Sequence, residues 1–124
     1  QKVGTSAKEL QQLLRSAQIK ARAGQRPDTC DKLVAYSVEG AAGGSTIQLY
    51  AQCLNGVTPA EVLVQSLQLQ NGVMLSQALN IEYKTLHGGV EGFGTVQLDS
   101  NYGQSFSFAV DAGGAISEGA FDAQ

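Results

Sequence analysis

Residues 6–24, SAKELQQLLRSAQIKARAG, predict one amphipathic helix around which the rest of the chain is organised. Ser6 and Glu9 have the spacing of a capping box, in which a hydroxyl and a carboxylate bind amides of the first helical turn. Gly24 supplies the left-handed residue that commonly ends a helix. An apolar seam covers about a third of the helix circumference and predicts packing on a sheet. The seam consists of Leu10, Leu13, Leu14, Ala17 and Ala21.

A second line of side chains lies nearly opposite the seam. It contains three cations at seven-residue spacing and one isoleucine: Lys8, Arg15, Ile19 and Arg22. One interpretation is a solvated face with a single exposed apolar residue, which is common. The other interpretation is a contact with a neighbouring subunit, and these four residues are the candidates for it. Val3 and Ala7 continue the apolar seam toward residue 1, which leaves open a helix that begins upstream of Ser6.

Length and charge bound the possibilities. A chain of 124 residues favours a single domain, 1–124, with its helix at about 6–24 and antiparallel strands at about 32–118. The chain contains neither an apolar run of membrane-spanning length nor a signal peptide, and either can have been removed. Lys and Arg outnumber Asp and Glu by 7 to 3 through Lys32 and are outnumbered 1 to 8 thereafter. The acidic body argues against a nucleic-acid partner.

Two strand-like segments, 33–38 and 46–51, predict a hairpin across a glycine-rich turn. Pairing Val34 with Leu49 puts the apolar residues of both strands on one face. The same register sets Cys30 opposite Cys53, which predicts a disulfide. Such a bridge closes a loop of roughly 24 residues, is worth about 3 kcal/mol in the chain-entropy model, and indicates an oxidising compartment. The alternative is a pair of buried free thiols in a cytosolic protein.

Residues 58–71 allow two interpretations. Thr58 with Glu61 has capping-box spacing and favours a helix. The alternation of leucine and glutamine favours a strand, which would form a hairpin with the following segment and align Leu67 with Leu75. We prefer the hairpin and keep the helix as its alternative. The last hairpin is predicted to pair 95–99 with 105–110. In it Val96 faces Phe108, and Leu98 faces Phe106.

The order of these segments resembles the soluble part of type IV pilins and type II secretion pseudopilins. The resemblance is carried by an L-R-x-A-Q-x-x-A helix in LLRSAQIKARAG, by the strands LVAYSV, STIQLYAQC and LQLQNGVML, and by a G-x-I-S-x-G ending in GGAISEG. It is nearest to minor-pilin and pseudopilin subunits and spans most of the chain. It implies an α+β, pilin-like fold, in which one long N-terminal helix packs on an antiparallel β-sheet built from successive hairpins.

The resemblance also implies a function. The expected protein is a structural subunit of an extracellular or periplasmic type IV pilus or type II secretion pseudopilus, assembling with other such subunits through its N-terminal helix. An apolar segment continuous with that helix would anchor it in the inner membrane before assembly, and this segment is absent from the chain. Candidate counter-charges for the helix cations are Glu82, Glu91 or Asp99. The sequence does not distinguish major from minor subunits, or an adhesive from a DNA-uptake role.

Enzymatic functions find little support in the sequence. His87 is the only histidine, so a Ser-His-Asp system lacks an identifiable orienting partner. The glycines of HGGVEGFG match no phosphate-binding motif, and the carboxylates are not paired. We therefore expect no enzyme, cofactor, metal or small-molecule substrate. The alternative function is a secreted or periplasmic inhibitor or immunity protein that binds an enzyme through HGGVEGFG. That alternative expects the helix to begin at Ser6, whereas the pilin interpretation expects it to run into Val3.

Overall fold

The computed structural model describes residues 2–85 and 89–121, apart from the side chain of Lys2. Within these residues there are one helix and nine strands. The helix is α1 (Lys2–Ala23), and the strands are β1 (Lys32–Gly40), β2 (Thr46–Asn55), β3 (Thr58–Gln68), β4 (Val73–Leu75), β5 (Leu79–Lys84), β6 (Val90–Glu91), β7 (Gly94–Ser100), β8 (Ser105–Val110) and β9 (Ala120–Phe121). The first sheet has the order β3-β2-β1-β5-β6 and the second the order β4-β7-β8-β9.

The helix extends upstream of the predicted cap. It begins at Lys2, and Ser6 lies inside it as a fully buried residue. The Ser6 hydroxyl accepts a hydrogen bond from the backbone N–H of Gln70 at 2.9 Å, so it joins the helix to the β3–β4 connection. The predicted capping box is therefore wrong. The predicted end is confirmed, since Gly24 has a φ of 66° and its N–H bonds the carbonyl of Ala21.

The apolar seam of α1 is buried along its whole length, and the helix contacts strands of both sheets. One flank of the helix faces the segment after β8, where Gln11 Nε2 donates to the carbonyl of Ser117 at 3.0 Å and Gln18 Nε2 to that of Gly113 at 3.1 Å. The other flank faces β3. The helix thus contacts strands of both sheets, and its face opposite the seam is exposed.

The fold-class prediction of a pilin-like α+β domain with one sheet of successive hairpins is wrong. Strands form 49% of the described residues and divide between two sheets, so the molecule is mostly antiparallel β-structure with one N-terminal helix. The physical reason lies at the β3–β4 connection. Leu69 is buried and its N–H bonds the carbonyl of Ser45, which turns the chain away from the first sheet. Val73 and Leu75 then build the apolar face of a second sheet.

The disulfide is confirmed, although the strand register behind its prediction is wrong. Cys30 and Cys53 are bonded, with Cα atoms 5.4 Å apart. Val38 rather than Val34 lies opposite Leu49, because β1 continues to Gly40 and the turn to β2 is centred two residues later than predicted. A bulge at Val34 then pairs Leu33 with Cys53 and leaves Val34 exposed. Cys30 reaches Cys53 from the turn before β1, where its N–H bonds the carbonyl of Pro27. A bulge places side chains three apart on one face, which simple alternation cannot predict.

Strand β3 confirms the strand interpretation of 58–71 over the helix, but its partner differs from the prediction. It pairs with β2 across a two-residue turn at Gly56, and Leu67 lies opposite Ile47, whereas Leu75 lies in the second sheet. The β7–β8 hairpin is confirmed in the predicted register. Its apolar pairs are Val96 with Phe108 and Leu98 with Phe106.

Candidate functional site

The open face of α1 carries the four predicted contact residues, which we call the basic face: Lys8, Arg15, Ile19 and Arg22. All four are exposed, and 65% of the Ile19 surface is accessible. Arg22 Nη2 also reaches the carbonyl of Gly113 at 3.5 Å, so this cation contacts the body of its own molecule. An isoleucine exposed to this degree among cations has the mixed character of a binding surface. The role of these residues in subunit contacts remains a prediction.

An acidic face lies on the outer side of the first sheet, away from the helix. Its carboxylates are those of Glu39, Glu61, Glu82 and Glu91. Strand alternation puts them there, because their strand neighbours Val38, Val62, Ile81 and Tyr83 point inward. Glu82 and Glu91 lie directly opposite each other on β5 and β6, and Lys84 Nζ is 3.2 Å from Glu91 Oε2. Two like charges at adjacent positions favour a cationic partner.

Hydrogen bonds hold part of the acidic face in place. Gln52 Nε2 donates to Ser37 Oγ at 2.9 Å and to Glu61 Oε2 at 2.6 Å. Ser37 Oγ in turn donates to Glu39 Oε2 at 2.9 Å. The chain of bonds links three neighbouring strands, so the Glu39 and Glu61 carboxylates are held at a set spacing.

Asp99, the third predicted counter-charge, lies on the second sheet. Its carboxylate accepts hydrogen bonds from side chains of its own molecule. Gln97 Nε2 and the Ser105 hydroxyl donate to its carboxylate at 2.9 and 2.8 Å. These hydrogen bonds, led by that from Gln97, lower the pKa of Asp99 below its usual value. The structure brings Glu82 and Glu91 together and leaves Asp99 apart from them.

A feature that the sequence prediction missed is the free edge of β3. This strand has eleven residues and ends the first sheet, with Leu63 and Val64 exposed on it. Two clefts of about 330 and 370 Å³ run between it and the helix side of the molecule. The signal that could have located the start of β3 is Gly56, because glycine is favoured at the first central position of a two-residue hairpin turn, where φ is positive.

The described residues contain no group of three His, Cys, Asp or Glu residues placed to hold a metal ion. A cleft of about 500 Å³ is lined by Arg22, Tyr83 and Lys84 among others. The Tyr83 hydroxyl is buried without a hydrogen-bond partner, and burial raises its pKa to about 12, so it keeps its proton at neutral pH. His87 and the beginning of HGGVEGFG lie outside the described residues.

Comparison with family models, curated proteins and solved structures finds no match. No helix within 2–85 and 89–121 has the length and apolar character needed to cross a membrane. The features of this chain that bear on function are the two charged faces, the buried helix seam and the free strand edge.

Proposed function

We propose that this chain is a structural subunit of an extracellular or periplasmic filament of the type IV pilus or type II secretion pseudopilus kind, assembling through its N-terminal helix. The observation that carries the proposal is the two-sided character of α1. One side is buried in its own body from Val3 to Ala21, and the other side presents the basic face over the same length. A helix held this firmly can transmit a contact on its open side to the whole molecule.

Charge supports a repeating contact between copies. The basic face opens on one side of the molecule, and the acidic face lies on the outer side of the first sheet. A contact between two different surfaces of one chain is heterologous, and it propagates into a fibre when the rotation does not close into a ring. Glu82 is the proposed partner of Arg15, because Asp99 accepts hydrogen bonds from Gln97 and Ser105 and Glu91 forms an ion pair with Lys84 in its own molecule.

The course of the helix favours this proposal over the inhibitor alternative. The inhibitor interpretation expected a helix start at Ser6, but the helix extends to Lys2 with Val3 and Ala7 in its buried seam. We include in the proposal an apolar segment that continues the helix into the inner membrane before assembly. The disulfide is consistent with a location outside the reducing cytosol.

The test is filament formation by the full-length gene product in cells. Filaments are sheared from the surface or collected from the periplasm and quantified against total protein. We expect Ile19→Glu and Arg15→Glu to lower the filament fraction by about tenfold or more, as for central interface residues. Val57→Glu is the matched control, because Val57 is 94% exposed and lies in the β2–β3 turn. The proposal is wrong if the parent protein never enters filaments, or if both helix variants assemble as well as the control.

A further inference from the structure

Two asparagine–glycine pairs occur in this chain, and valine follows each of them: Asn55-Gly56-Val57 and Asn71-Gly72-Val73. The side-chain amide of asparagine is short enough to reach the backbone nitrogen of the next residue, and glycine has no side chain to obstruct that approach. Attack by this nitrogen closes a succinimide ring and releases ammonia. Because the two pairs have the same local sequence, a difference in their reactivity must come from the fold.

The side chain of Asn55 is held by hydrogen bonds at both of its polar atoms. Its Oδ1 accepts from the backbone N–H of Asp31 at 2.8 Å, and its Nδ2 donates to the carbonyl of Thr29 at 3.3 Å. Asn55 is also the last residue of β2 and pairs with Thr58 across the turn. The amide can turn toward the nitrogen of Gly56 only after these bonds break, so the fold protects Asn55.

The side chain of Asn71 has no such restraint. Asn71 is exposed in the connection between β3 and β4, and its amide has no hydrogen-bond partner among the described residues. Gly72 has a φ of 85°, and its N–H donates no hydrogen bond within the part of the chain that the structure describes. Both reacting groups, the amide and the backbone nitrogen, are therefore free.

We propose that Asn71 is a site of spontaneous covalent modification, where the chain deamidates through a succinimide far faster than at Asn55. The nitrogen of Gly72 attacks Cγ of Asn71 and loses its proton to water. The new N–Cγ bond forms, the Cγ–Nδ2 bond breaks, and ammonia leaves. Water then adds to either carbonyl of the ring and opens it, which leaves aspartate or isoaspartate at position 71. The reaction consumes only water.

The modification alters the connection between the two sheets. Isoaspartate continues the chain through its side-chain carbon, which adds one atom to the backbone between Gln70 and Val73. These two residues close the turn, because the N–H of Val73 bonds the carbonyl of Gln70 at 3.0 Å. The N–H of Gln70 in turn bonds the hydroxyl of Ser6 in α1 at 2.9 Å. The longer backbone should therefore weaken the point at which the helix is joined to this connection.

The test compares the two asparagines within one folded, disulfide-intact protein, and it does not depend on the proposed function because the reaction needs no second copy. The protein is incubated in mildly alkaline buffer, and peptide mapping by mass spectrometry follows conversion at each site. We expect Asn71 to convert at least about tenfold faster than Asn55, because Asn55 reacts only after its two side-chain hydrogen bonds break. Equal rates, or no conversion at Asn71, would overturn the proposal.

The same protein unfolded in urea is the matched control, since urea removes the fold and keeps both sequences. The two asparagines should then react at similar rates. If Asn71 keeps its full advantage in urea, the preference comes from sequence alone and the proposed role of the fold is refuted.

A variant and a separated product complete the test. Asn71→Gln should remove most of the ammonia released by the folded protein, because the longer side chain must close a six-membered ring, which forms far more slowly. Circular dichroism verifies that this variant is folded. The isoaspartate form, isolated by chromatography, should unfold at a lower temperature than the parent. Ammonia release that is unchanged in Asn71→Gln would place the reaction elsewhere, and an unchanged Tm of the isoaspartate form would refute the effect on the connection.

Discussion

Ser6 illustrates how one residue type serves different purposes in different surroundings. A serine followed three residues later by glutamate usually indicates a helix start, because the hydroxyl can bind an unpaired amide of the first turn. Here the amide that needs a partner belongs to Gln70, in the connection between the two sheets. The sequence pattern was present, but tertiary packing used the hydroxyl for a contact 64 residues away.

Two substitutions at Ser6 distinguish a helix-capping role from a role at a buried position inside the helix. Aspartate is as good a cap as serine, so a true cap would tolerate Ser6→Asp better than Ser6→Ala. At a fully buried interior position a carboxylate must lose its water, so we expect the opposite order. Ser6→Ala should cost about 1–3 kcal/mol, because the Gln70 amide loses its partner, and Ser6→Asp should cost more. Urea unfolding measures the free energy of unfolding of both variants. A smaller loss for Ser6→Asp than for Ser6→Ala would support a capping role for Ser6.

Tyr83 should make the protein sensitive to alkali. Its hydroxyl is buried and unpartnered, and burial raises its pKa to about 12, against about 10 in an unfolded chain. A pKa raised on folding favours the protonated phenol, so the folded state is stable below pH 10 and loses stability between about pH 10 and 12. The full loss is roughly 2–3 kcal/mol.

Replacement of the phenol isolates this effect. Tyr83→Phe should remove most of the alkaline loss while leaving stability at neutral pH equal or higher, because the hydroxyl makes no hydrogen bond. Tyr102→Phe is the control, since Tyr102 is 77% exposed. Urea unfolding as a function of pH measures both variants. An alkaline transition that is unchanged in Tyr83→Phe would place its origin elsewhere.

At the scale of elements, the predictable parts are those where alternation and turn chemistry agree. The β7–β8 hairpin has strict alternation and a short polar turn, and its register was predicted correctly. The β1–β2 register was not, because the glycine-rich turn does not fix its own centre: β1 continues to Gly40, and Val38 rather than Val34 lies opposite Leu49. The partner of β3 was missed because two turns compete, at Gly56 and at Gly72, and both glycines have positive φ. The charged faces depend on strand order, so a local pattern could not bring Glu82 beside Glu91.

The contact between α1 and the segment after β8 can be tested with two glycines. Gly114 has a φ of 89°, and a Cβ built on it would lie 2.0 Å from Gln18 Nε2. Gly43 has a similar φ of 75°, and a Cβ built on it has no atom within 4 Å. Gly43→Ala therefore measures the cost of backbone strain without a steric clash. We expect Gly114→Ala to cost about 0.5–1.5 kcal/mol more, because Gln18 must move and lose its bond to Gly113.

A double substitution completes this test. In a Gln18→Ala background the obstructing amide is gone, so the two alanine variants should become equally destabilised relative to their parent. Thermal unfolding of the six proteins gives the comparison. An excess cost at Gly114 that persists without the Gln18 amide would attribute it to the backbone of the 113–118 segment instead.

For the whole molecule, the proposed contact between copies should depend on salt. The contact of the basic face with the acidic face is electrostatic, and charges near a surface are screened at a Debye length of about 8 Å in physiological salt and about 3 Å at 1 M. Added salt should therefore weaken this contact between copies.

We expect assembly of filaments to weaken as NaCl rises from about 0.05 to 0.5 M, because the proposed contact is between exposed charges. Charge reversal tests the same contact. We expect Arg15→Glu to lower the fraction of protein in filaments. Adding Glu82→Lys to that chain should restore part of the loss, because the ion pair re-forms with opposite polarity. Glu118→Lys, an exposed acid outside the acidic face, is the control for net charge. If Glu118→Lys restores filaments to the same degree, the rescue comes from net charge. The proposed contact between Arg15 and Glu82 would then be refuted.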